Sequence, residues 1–316
     1  MEKLQLFAET LFQKHNTRMW RKEKDAFLAD ATLAFENLGY DEVAVKEDKN
    51  PLGITSRNLV VGKPDADILI TAHYDTPGRN GFLLILAPIF GALIGSFVII
   101  LPLSLILGVL GGFLTVWVAD MFGIEQLNLL IANPAYLLFA VLLVASLIKN
   151  PKNHNDNTSG VLGVYQMAEL IAENPELKAR TAFVLFDHEE VLPGLLGSKA
   201  FAKWRKQNCP EKSNATVINL DCIGIGDVLT VMTRKKHVAW DNIAEFLEGE
   251  GFTVKKARGG LAGNSDHAPF ARGVSLLFQK RSLTGPLYIP KIHSGRDKEC
   301  DLEQIERLSA AVYKYL

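Results

Sequence analysis

The stretch ADILITAHYD, residues 66–75, is an apolar run that becomes polar at its C-terminal end. This pattern predicts a buried strand that ends at the edge of a sheet. Two later stretches, TAFVLFDHEE (181–190) and ATVINLDCIG (215–224), repeat it. Helical spacing lies between and after them, in TSGVLGVYQMAELIAENPEL (158–177) and DLEQIERLSAAVYKYL (301–316). The alternation of strands and helices predicts an α/β fold with a mostly parallel mixed sheet flanked by helices.

Composition excludes several classes of protein. The chain has 316 residues, is 48% hydrophobic and carries a net charge of −1. We expect no nucleic-acid partner, because no basic stripe with interleaved aromatic residues is present. The cysteines, Cys209, Cys222 and Cys300, are odd in number and far apart, so we expect neither a disulfide framework nor a cysteine metal site. Residues 1–25 are amphipathic and charged, which predicts no cleaved signal peptide.

A long apolar segment interrupts the α/β pattern. Residues 81–119 contain no Asp, Glu, Lys or Arg, and after Asp120 and Glu125 the same holds for residues 126–148. A membrane-spanning helix needs about 20 such residues. We therefore predict a helical hairpin that crosses a lipid bilayer twice. Two alternatives are a pair of core helices in a soluble protein and an apolar dimerisation arm.

The charges around this segment predict its orientation. Arg79 precedes it, Lys149 and Lys152 follow it, and the connecting loop at 120–134 has no Lys or Arg. By the positive-inside rule both ends are cytoplasmic. The predicted organisation is residues 1–80 and 150–316 as one cytoplasmic domain, with residues 81–149 as a transmembrane insertion.

Ionisable residues follow the predicted strands or stand in loops that can reach the same sheet edge. They are His73, Asp75, Asp156 in NHNDNTSGV, Glu189, Glu190, Asp221, and His293 in KIHSGRD. The carboxyl ends of strands are where α/β sheets form their sites. Two histidines and three carboxylates, one of them bridging, are a donor set for two zinc or other divalent ions.

That donor set leaves Asp75 and one glutamate with other roles. Asp75 lies two residues after His73, which on a strand puts it on the same face. There it could accept the ring N–H of His73 and fix the tautomer. The adjacent Glu189 and Glu190 cannot point the same way, so one can bind metal while the other serves as a general base.

Six motifs together carry a family resemblance. TAHYDT, NDNTSGV, FDHEEVLPGLLGSKAF, NLDCIG, NSDHAPF and KIHSGRD occur in the order found in the di-zinc aminopeptidase family of metallopeptidases, which are related to glutaminyl cyclases. The chain resembles that family over residues 55–80 and 150–316, with the apolar segment as an insertion. The resemblance implies a zinc-dependent exopeptidase fold and two Zn²⁺ ions.

The resemblance also implies a role for each residue. His73 and Asp221 would bind one ion, Glu190 and His293 the other, and Asp156 would bridge them. Glu189 would be the general base, and Asp75 would support His73.

Two further expectations come from the same resemblance. The peptide bond between Asp156 and Asn157 would be cis. His267, supported by Asp266, would contact the oxyanion formed at the reacting carbonyl.

The activity that the resemblance implies is hydrolysis of the N-terminal residue from peptides with a free N-terminus, and the apolar segment would place this activity at a membrane. A glutaminyl cyclase-like acyltransferase with one zinc is an alternative, although such enzymes usually have Trp where this chain has Ile292. A catalytically inactive membrane receptor or scaffold is another, although the full set of expected ligands is present. The chain departs from the family's common pattern at residues 191–193 and in HSGRD, and the Gly-rich stretch 256–266 is predicted to be a flap.

Overall fold

The computed structural model describes residues 2–51, 53–123, 134–190, 194–259 and 264–316. Parts of three predicted features lie outside these ranges. They are the loop between the two apolar helices, residues 191–193, and residues 260–263 of the Gly-rich stretch.

A central mixed sheet organises the described residues. Its strands are β1 (Val43–Lys49), β2 (Thr55–Val61), β3 (Ile68–His73), β4 (Thr181–Phe186), β5 (Thr216–Leu220), β6 (Val228–Thr233), β7 (Val254–Arg258), β8 (Arg272–Arg281) and β9 (Leu287–Tyr288). Their order is β1-β2-β4-β3-β5-β8-β6-β7, and β9 pairs with β8. The four central strands β4, β3, β5 and β8 are parallel, as predicted. Antiparallel pairings of β2 with β4 and of β6 with β8 extend the sheet on both sides.

Helices cover both faces of the sheet. They are α1 (Glu2–Lys14), α2 (Arg21–Glu36), α3 (Ala87–Phe90), α4 (Ala92–Phe122), α5 (Pro134–Leu147), α6 (Gly160–Ala172), α7 (Pro175–Arg180), α8 (Leu196–Asn208), α9 (Val238–Gly249) and α10 (Leu302–Tyr315). Helices α1, α2, α6, α9 and α10 contribute to the larger hydrophobic core on one face of the sheet. The smaller core on the other face includes Phe201 of α8. The fold is therefore the predicted α/β sandwich of a sheet between helices.

Helix α6 lies unusually close to the end of β5, and two glycines permit this. A Cβ at Gly160 would lie 2.3 Å from the carbonyl oxygen of Leu220, and one at Gly163 would lie 2.6 Å from the Cδ1 atom of Ile223. The described helix α6 ends at Ala172, whereas the sequence predicted that it would continue to residue 177, and Pro175 begins α7. The close approach brings the loop before α6 against the end of β5.

The apolar segment forms its own group of helices. The 3₁₀ turn Gly81–Leu84 and the short α3 lead into α4, which packs against α5. Among the described residues, one helix, over Ala92–Val118, is long and apolar enough to cross a membrane, and 6% of its most apolar window is buried. Side chains such as Leu101 (68% exposed) and Phe113 (73% exposed) face outward. An exposed apolar surface of this extent indicates contact with a membrane or a partner.

Candidate metal centre

Neighbouring parallel strands bring the first group of candidate ligands together. His73 is the last residue of β3, and Asp221 follows the last residue of β5. Because β3 and β5 are adjacent and parallel, their carboxyl ends share one edge. The Nε2 atom of His73 lies 3.8 Å from an Asp221 carboxylate oxygen and 3.5 Å from Oδ1 of Asp156. Strand order thus explains why residues 148 positions apart meet.

Asp156 joins a second group through its other oxygen. Oδ2 of Asp156 lies 3.1 Å from Nε2 of His293, and the same nitrogen lies 3.5 Å from Oε2 of Glu190. In each of the two groups the potential ligand atoms lie within 4.8 Å of one another. The structure therefore brings all five predicted ligands together, and Asp156 belongs to both groups.

The loop that carries Asp156 is fixed by side chains on either side of it. The carboxylate of Asp297 accepts the backbone N–H groups of Asn155 and Asp156, at 2.9 and 3.0 Å. The amide of Asn157 donates to the carbonyl oxygen of Leu220 at 3.0 Å, which ties the loop to β5. The peptide bond between Asp156 and Asn157 is cis, as predicted. Asp297 was not predicted as a site residue, although it lies in KIHSGRD.

Asp75 lies beside His73, as predicted, and also contacts the two glutamates. The Nδ1 atom of His73 is 3.1 Å from the main-chain oxygen of Asp75 and 3.6 Å from its carboxylate. The carboxylate also accepts the backbone N–H groups of Glu189 and Glu190, at 3.0 and 3.1 Å. The contact with the glutamates was not predicted, because it joins the loop after β3 to the loop after β4. The main-chain oxygen is placed to fix the ring of His73, and the carboxylate holds the two glutamates.

The two glutamates diverge, as their adjacency requires. Glu190 points toward His293, whereas Oε2 of Glu189 lies 2.8 Å from Nε2 of His73. Glu189 therefore stands beside the donor atoms of the first group without belonging to it. That is a suitable position for a group that takes a proton from a water between the two groups.

The charges in this cluster favour a cation. Burial raises the pKa of Glu189 well above its usual value. Burial also raises the pKa of Glu190, with a further contribution from the negative charge of Asp156. Burial opposes protonation of His73 and His293, yet the surrounding carboxylates raise the pKa of both rings well above the usual value. Protons thus offset the mutual repulsion of the carboxylates, and a divalent cation would replace them.

The donor set also fits zinc in its chemistry. Each group offers one imidazole nitrogen and carboxylate oxygens, and these are ordinary zinc ligands. His73 would present Nε2 to the ion while its Nδ1 hydrogen is held by a main-chain oxygen. Such an outer contact is typical of histidines that bind metal.

A buried cation, the guanidinium group of Arg18, lies close to the site and was not predicted from the sequence. Arg18 is 0% exposed, and its guanidinium donates to the carbonyl oxygens of His15 and Tyr74. Burial lowers the pKa of Arg18 to about 10, and the negative charges of Asp75 and Asp156 oppose this shift. An isolated Arg between two amphipathic helices gives no sequence signal for such a position.

A second missed residue stands at the start of the apolar segment. Oδ1 of Asn80 lies 2.7 Å from Nδ1 of His293. His293 itself has a φ of 55°, in the left-handed region, which costs a non-glycine residue about 1–2 kcal/mol. Contacts from outside its own loop therefore help to hold His293 in place.

His267 and Asp266 lie next to this cluster but inside the protein. Both side chains are 0% exposed. Neither ring nitrogen of His267 has a hydrogen-bond partner among the described residues, so the predicted support of this ring by Asp266 is not a direct hydrogen bond. The Asp266 carboxylate interacts with Ser198. Burial lowers the pKa of His267 to about 4 and raises the pKa of Asp266 to about 7. The oxyanion contact of His267 stays a prediction.

Comparison with known protein families agrees with this geometry. The family model described as peptidase family M28 matches residues 149–315, which is more than half of the chain. The chain belongs to peptidase family M28. Members of the M28 family bind zinc, so the family and the donor set point to the same kind of site. The match includes Asp156, Glu189, Glu190, Asp221 and His293 and begins at Lys149, the last residue of the predicted insertion.

Solved structures show the same fold. The LapA aminopeptidase of Legionella pneumophila has a TM-score of 0.62 at 16% identity, covering 99% of this chain and 69% of that one. LapB from the same organism has a TM-score of 0.59 at 17% identity, covering 99% and 70%. The glutaminyl cyclase of Porphyromonas gingivalis has a TM-score of 0.57 at 16% identity, covering 99% and 96%. A comparison with curated protein sequences found no match.

Proposed function

We propose that this M28 peptidase is a membrane-anchored metallo-aminopeptidase that binds two divalent ions, with Zn²⁺ as the expected metal. The observation that carries the proposal is the pair of ligand groups that share Asp156. His73 and Asp221 would hold one ion, and Glu190 and His293 the other. When bound by these residues, the two ions would supply a water of lowered pKa and would polarise a scissile carbonyl.

The protein's own residues would then move the proton. Glu189 is 10% exposed and has no metal-binding role in this arrangement, so its carboxylate is available to the attacking water. It would take the proton from that water and deliver it to the leaving amine. The backbone of Glu189 is held by Asp75, which fixes the base relative to the ligands.

The substrate would be a peptide with a free N-terminus. The LapA and LapB likeness in fold is consistent with this reading, since LapA is described as an aminopeptidase. We expect release of single N-terminal residues rather than internal cleavage.

A glutaminyl cyclase-like acyltransferase is the second candidate, because a glutaminyl cyclase shares the fold over nearly its whole length. It would require one zinc and an N-terminal Gln substrate. Two ligand groups, together with Ile292 in place of the usual Trp, favour hydrolysis. An inactive membrane receptor or scaffold is disfavoured because the five candidate ligands lie together and Glu189 lies beside them.

The apolar segment would be the membrane anchor. We propose residues 81–149 as an inserted hairpin with two crossings, and residues 1–80 and 150–316 as one catalytic domain on the cytoplasmic side. The long apolar helix over Ala92–Val118 supports one crossing. The positive charges of Arg79, Lys149 and Lys152 support the orientation.

One experiment separates these candidates. We would purify the protein in detergent, measure its bound zinc, and assay aminoacyl-p-nitroanilides and an N-terminal Gln peptide. The proposal predicts two zinc ions per chain and amide hydrolysis, with kcat reduced about 10²–10⁴-fold in Glu189→Gln while zinc is retained. One zinc with cyclisation of the Gln peptide would favour the cyclase, and a protein without zinc or turnover would favour the scaffold.

A further inference from the structure

The two ends of the inserted segment close on each other beside the metal centre. We call residues 78–81 the hairpin foot. Gly78 forms an antiparallel bridge with Lys149, and the N–H of Arg79 donates to the carbonyl oxygens of Ala145 and Ile148. A Cβ at Gly78 would lie 2.1 Å from the carbonyl oxygen of Ser146, so the approach leaves no room for a side chain. The hairpin foot is therefore fixed to the last turn of the apolar segment.

The hairpin foot also contacts the loop that carries His293. The N–H of Gly81 donates to the main-chain oxygen of His293 at 2.8 Å. A Cβ at Gly81 would lie 2.6 Å from that oxygen and 2.7 Å from the carbonyl oxygen of Ile292. The side chain of Asn80 reaches the imidazole itself, with Oδ1 2.7 Å from Nδ1 of His293. Two consecutive residues thus hold both the backbone and the ring of one candidate ligand.

The orientation of the His293 imidazole determines the effect of its contact with Asn80. Nε2 of His293 faces Asp156 and Glu190, so this nitrogen is the one available to a metal. The hydrogen of the neutral ring must then be on Nδ1, where it donates to Oδ1 of Asn80. This contact selects the tautomer and stops rotation of the ring. His73 obtains the same support from the main chain at Asp75, whereas His293 obtains it from the inserted segment.

We infer that Asn80 is a positioning residue for the metal held by Glu190 and His293, and that the hairpin foot is a structural part of the metal centre. The inference rests on the proposed function, since it assumes that His293 is a ligand. It adds that the insertion does more than anchor the chain. A change at the hairpin foot would alter the affinity of one of the two metal positions and leave the other unchanged.

The test uses the full-length protein in detergent and compares three variants. Asn80→Ala removes the acceptor, Asn80→Asp keeps an acceptor at the same distance, and Asn208→Ala is the control. Asn208 is exposed, and its side chain donates to the carbonyl oxygen of Trp204 at the end of α8, far along the chain from the site. The measurements are zinc affinity of each position by chelator competition, the visible spectrum of the cobalt-loaded protein, and the melting temperature of the metal-free protein.

We expect Asn80→Ala to weaken one zinc position about 10–100-fold, because loss of such outer contacts has effects of this size on metal sites. The other position, and the melting temperature of the metal-free protein, should stay as in the wild type. Asn80→Asp should recover most of the affinity, and the cobalt spectrum should change in Asn80→Ala alone. Asn208→Ala should match the wild type throughout.

Three outcomes would overturn the inference. Wild-type affinity at both positions in Asn80→Ala would do so while leaving the proposed function intact, provided that the wild type hydrolyses peptides. A lower melting temperature of the metal-free Asn80→Ala protein with unchanged zinc affinity would assign Asn80 a purely structural role. A wild-type protein that binds no zinc would overturn both the inference and the proposed function.

Discussion

Asp75 gives the sharpest single-residue prediction, because one buried carboxylate holds the backbone of both glutamates. It accepts the N–H groups of Glu189 and Glu190 at 3.0 and 3.1 Å. Burial alone would raise its pKa, but hydrogen bonding with His73 and the positive charge of Lys24 hold the pKa of Asp75 below its usual value. The residue is therefore ionised at neutral pH, and both hydrogen bonds are charge-assisted.

The substitution Asp75→Asn keeps the shape but replaces one acceptor oxygen with an NH₂ group. One of the two backbone N–H groups then faces a donor inside the protein. A hydrogen bond to a charged group contributes about 1.5–3 kcal/mol, so the free energy of unfolding should fall by about that amount. A shift of the base by about 1 Å reduces rates about 100-fold, so kcat should fall by that factor with little change in KM.

The assay is steady-state hydrolysis of an aminoacyl-p-nitroanilide with excess zinc, alongside thermal unfolding. Excess zinc separates misplacement of the base from loss of metal, because kcat should remain low when both ions are bound. Asp227→Asn is the matched control, since Asp227 is exposed and such substitutions change stability by less than about 0.5 kcal/mol. Wild-type kcat in Asp75→Asn, or full recovery when zinc is added, would refute the role derived from these contacts.

Three further predictions concern the surroundings of the site. Arg18→Met should lower the free energy of unfolding by about 3–5 kcal/mol, because it leaves buried carbonyl oxygens and carboxylates without their cation. The control Arg21→Met replaces an exposed Arg and should have little effect. Chemical unfolding of both variants would check this, and equal stability would contradict it. Removal of zinc by a chelator should lower the melting temperature. Zinc at about 1,000 times its Kd should restore about 4 kcal/mol of the free energy of unfolding. An unchanged melting temperature would contradict binding of zinc to the folded protein. Burial lowers the pKa of His267 from 6.5 to about 4, so the stabilisation from its neutral form is complete above pH 6.5 and is lost as pH falls toward 4. The free energy of unfolding of the metal-free wild type should therefore fall by about 3 kcal/mol more than that of His267→Gln between those pH values. Parallel pH profiles of the two proteins would contradict the lowered pKa of His267.

The sequence was sufficient for the parts of the site that depend on strand ends. Apolar runs that end in His73 and Asp221 predict adjacent buried strands, and parallel strands place both residues at one edge. Asp156 and His293 lie in loops that can reach the same edge, and the resemblance of whole motifs added the role of each. The structure brings all of these residues together as expected.

Other parts of the site depend on contacts that no local pattern encodes. The contact of Asn80 with His293 exists because the start of the apolar segment packs against a loop more than 200 residues later. Arg18 is buried by the packing of its loop on the end of β3, and a single Arg between helices gives no sign of this. The contact of Asp75 with the backbone of Glu189 and Glu190 was not predicted, because it joins the loops that follow two different strands, β3 and β4.

Two strands at one side of the sheet also could not be predicted from local sequence. Strands β1 and β2 were not predicted. Strand β1 (VAVKEDK) is charged and mostly exposed at the sheet edge, and β2 (TSRNLVV) is buried although its first half is polar. Its stability comes from pairing with β2 along seven residues rather than from an apolar pattern of its own. Edge strands of this kind are defined by their neighbours, which a pass along the sequence does not reveal.

The most direct test of the central claim is anomalous diffraction at the zinc edge from crystals of the zinc-loaded protein. The account predicts two peaks about 3.5 Å apart on either side of the Asp156 carboxylate. One peak should lie beside His73 and Asp221, and the other beside Glu190 and His293. A single peak, or peaks away from Asp156, would contradict a metal centre built on a shared aspartate.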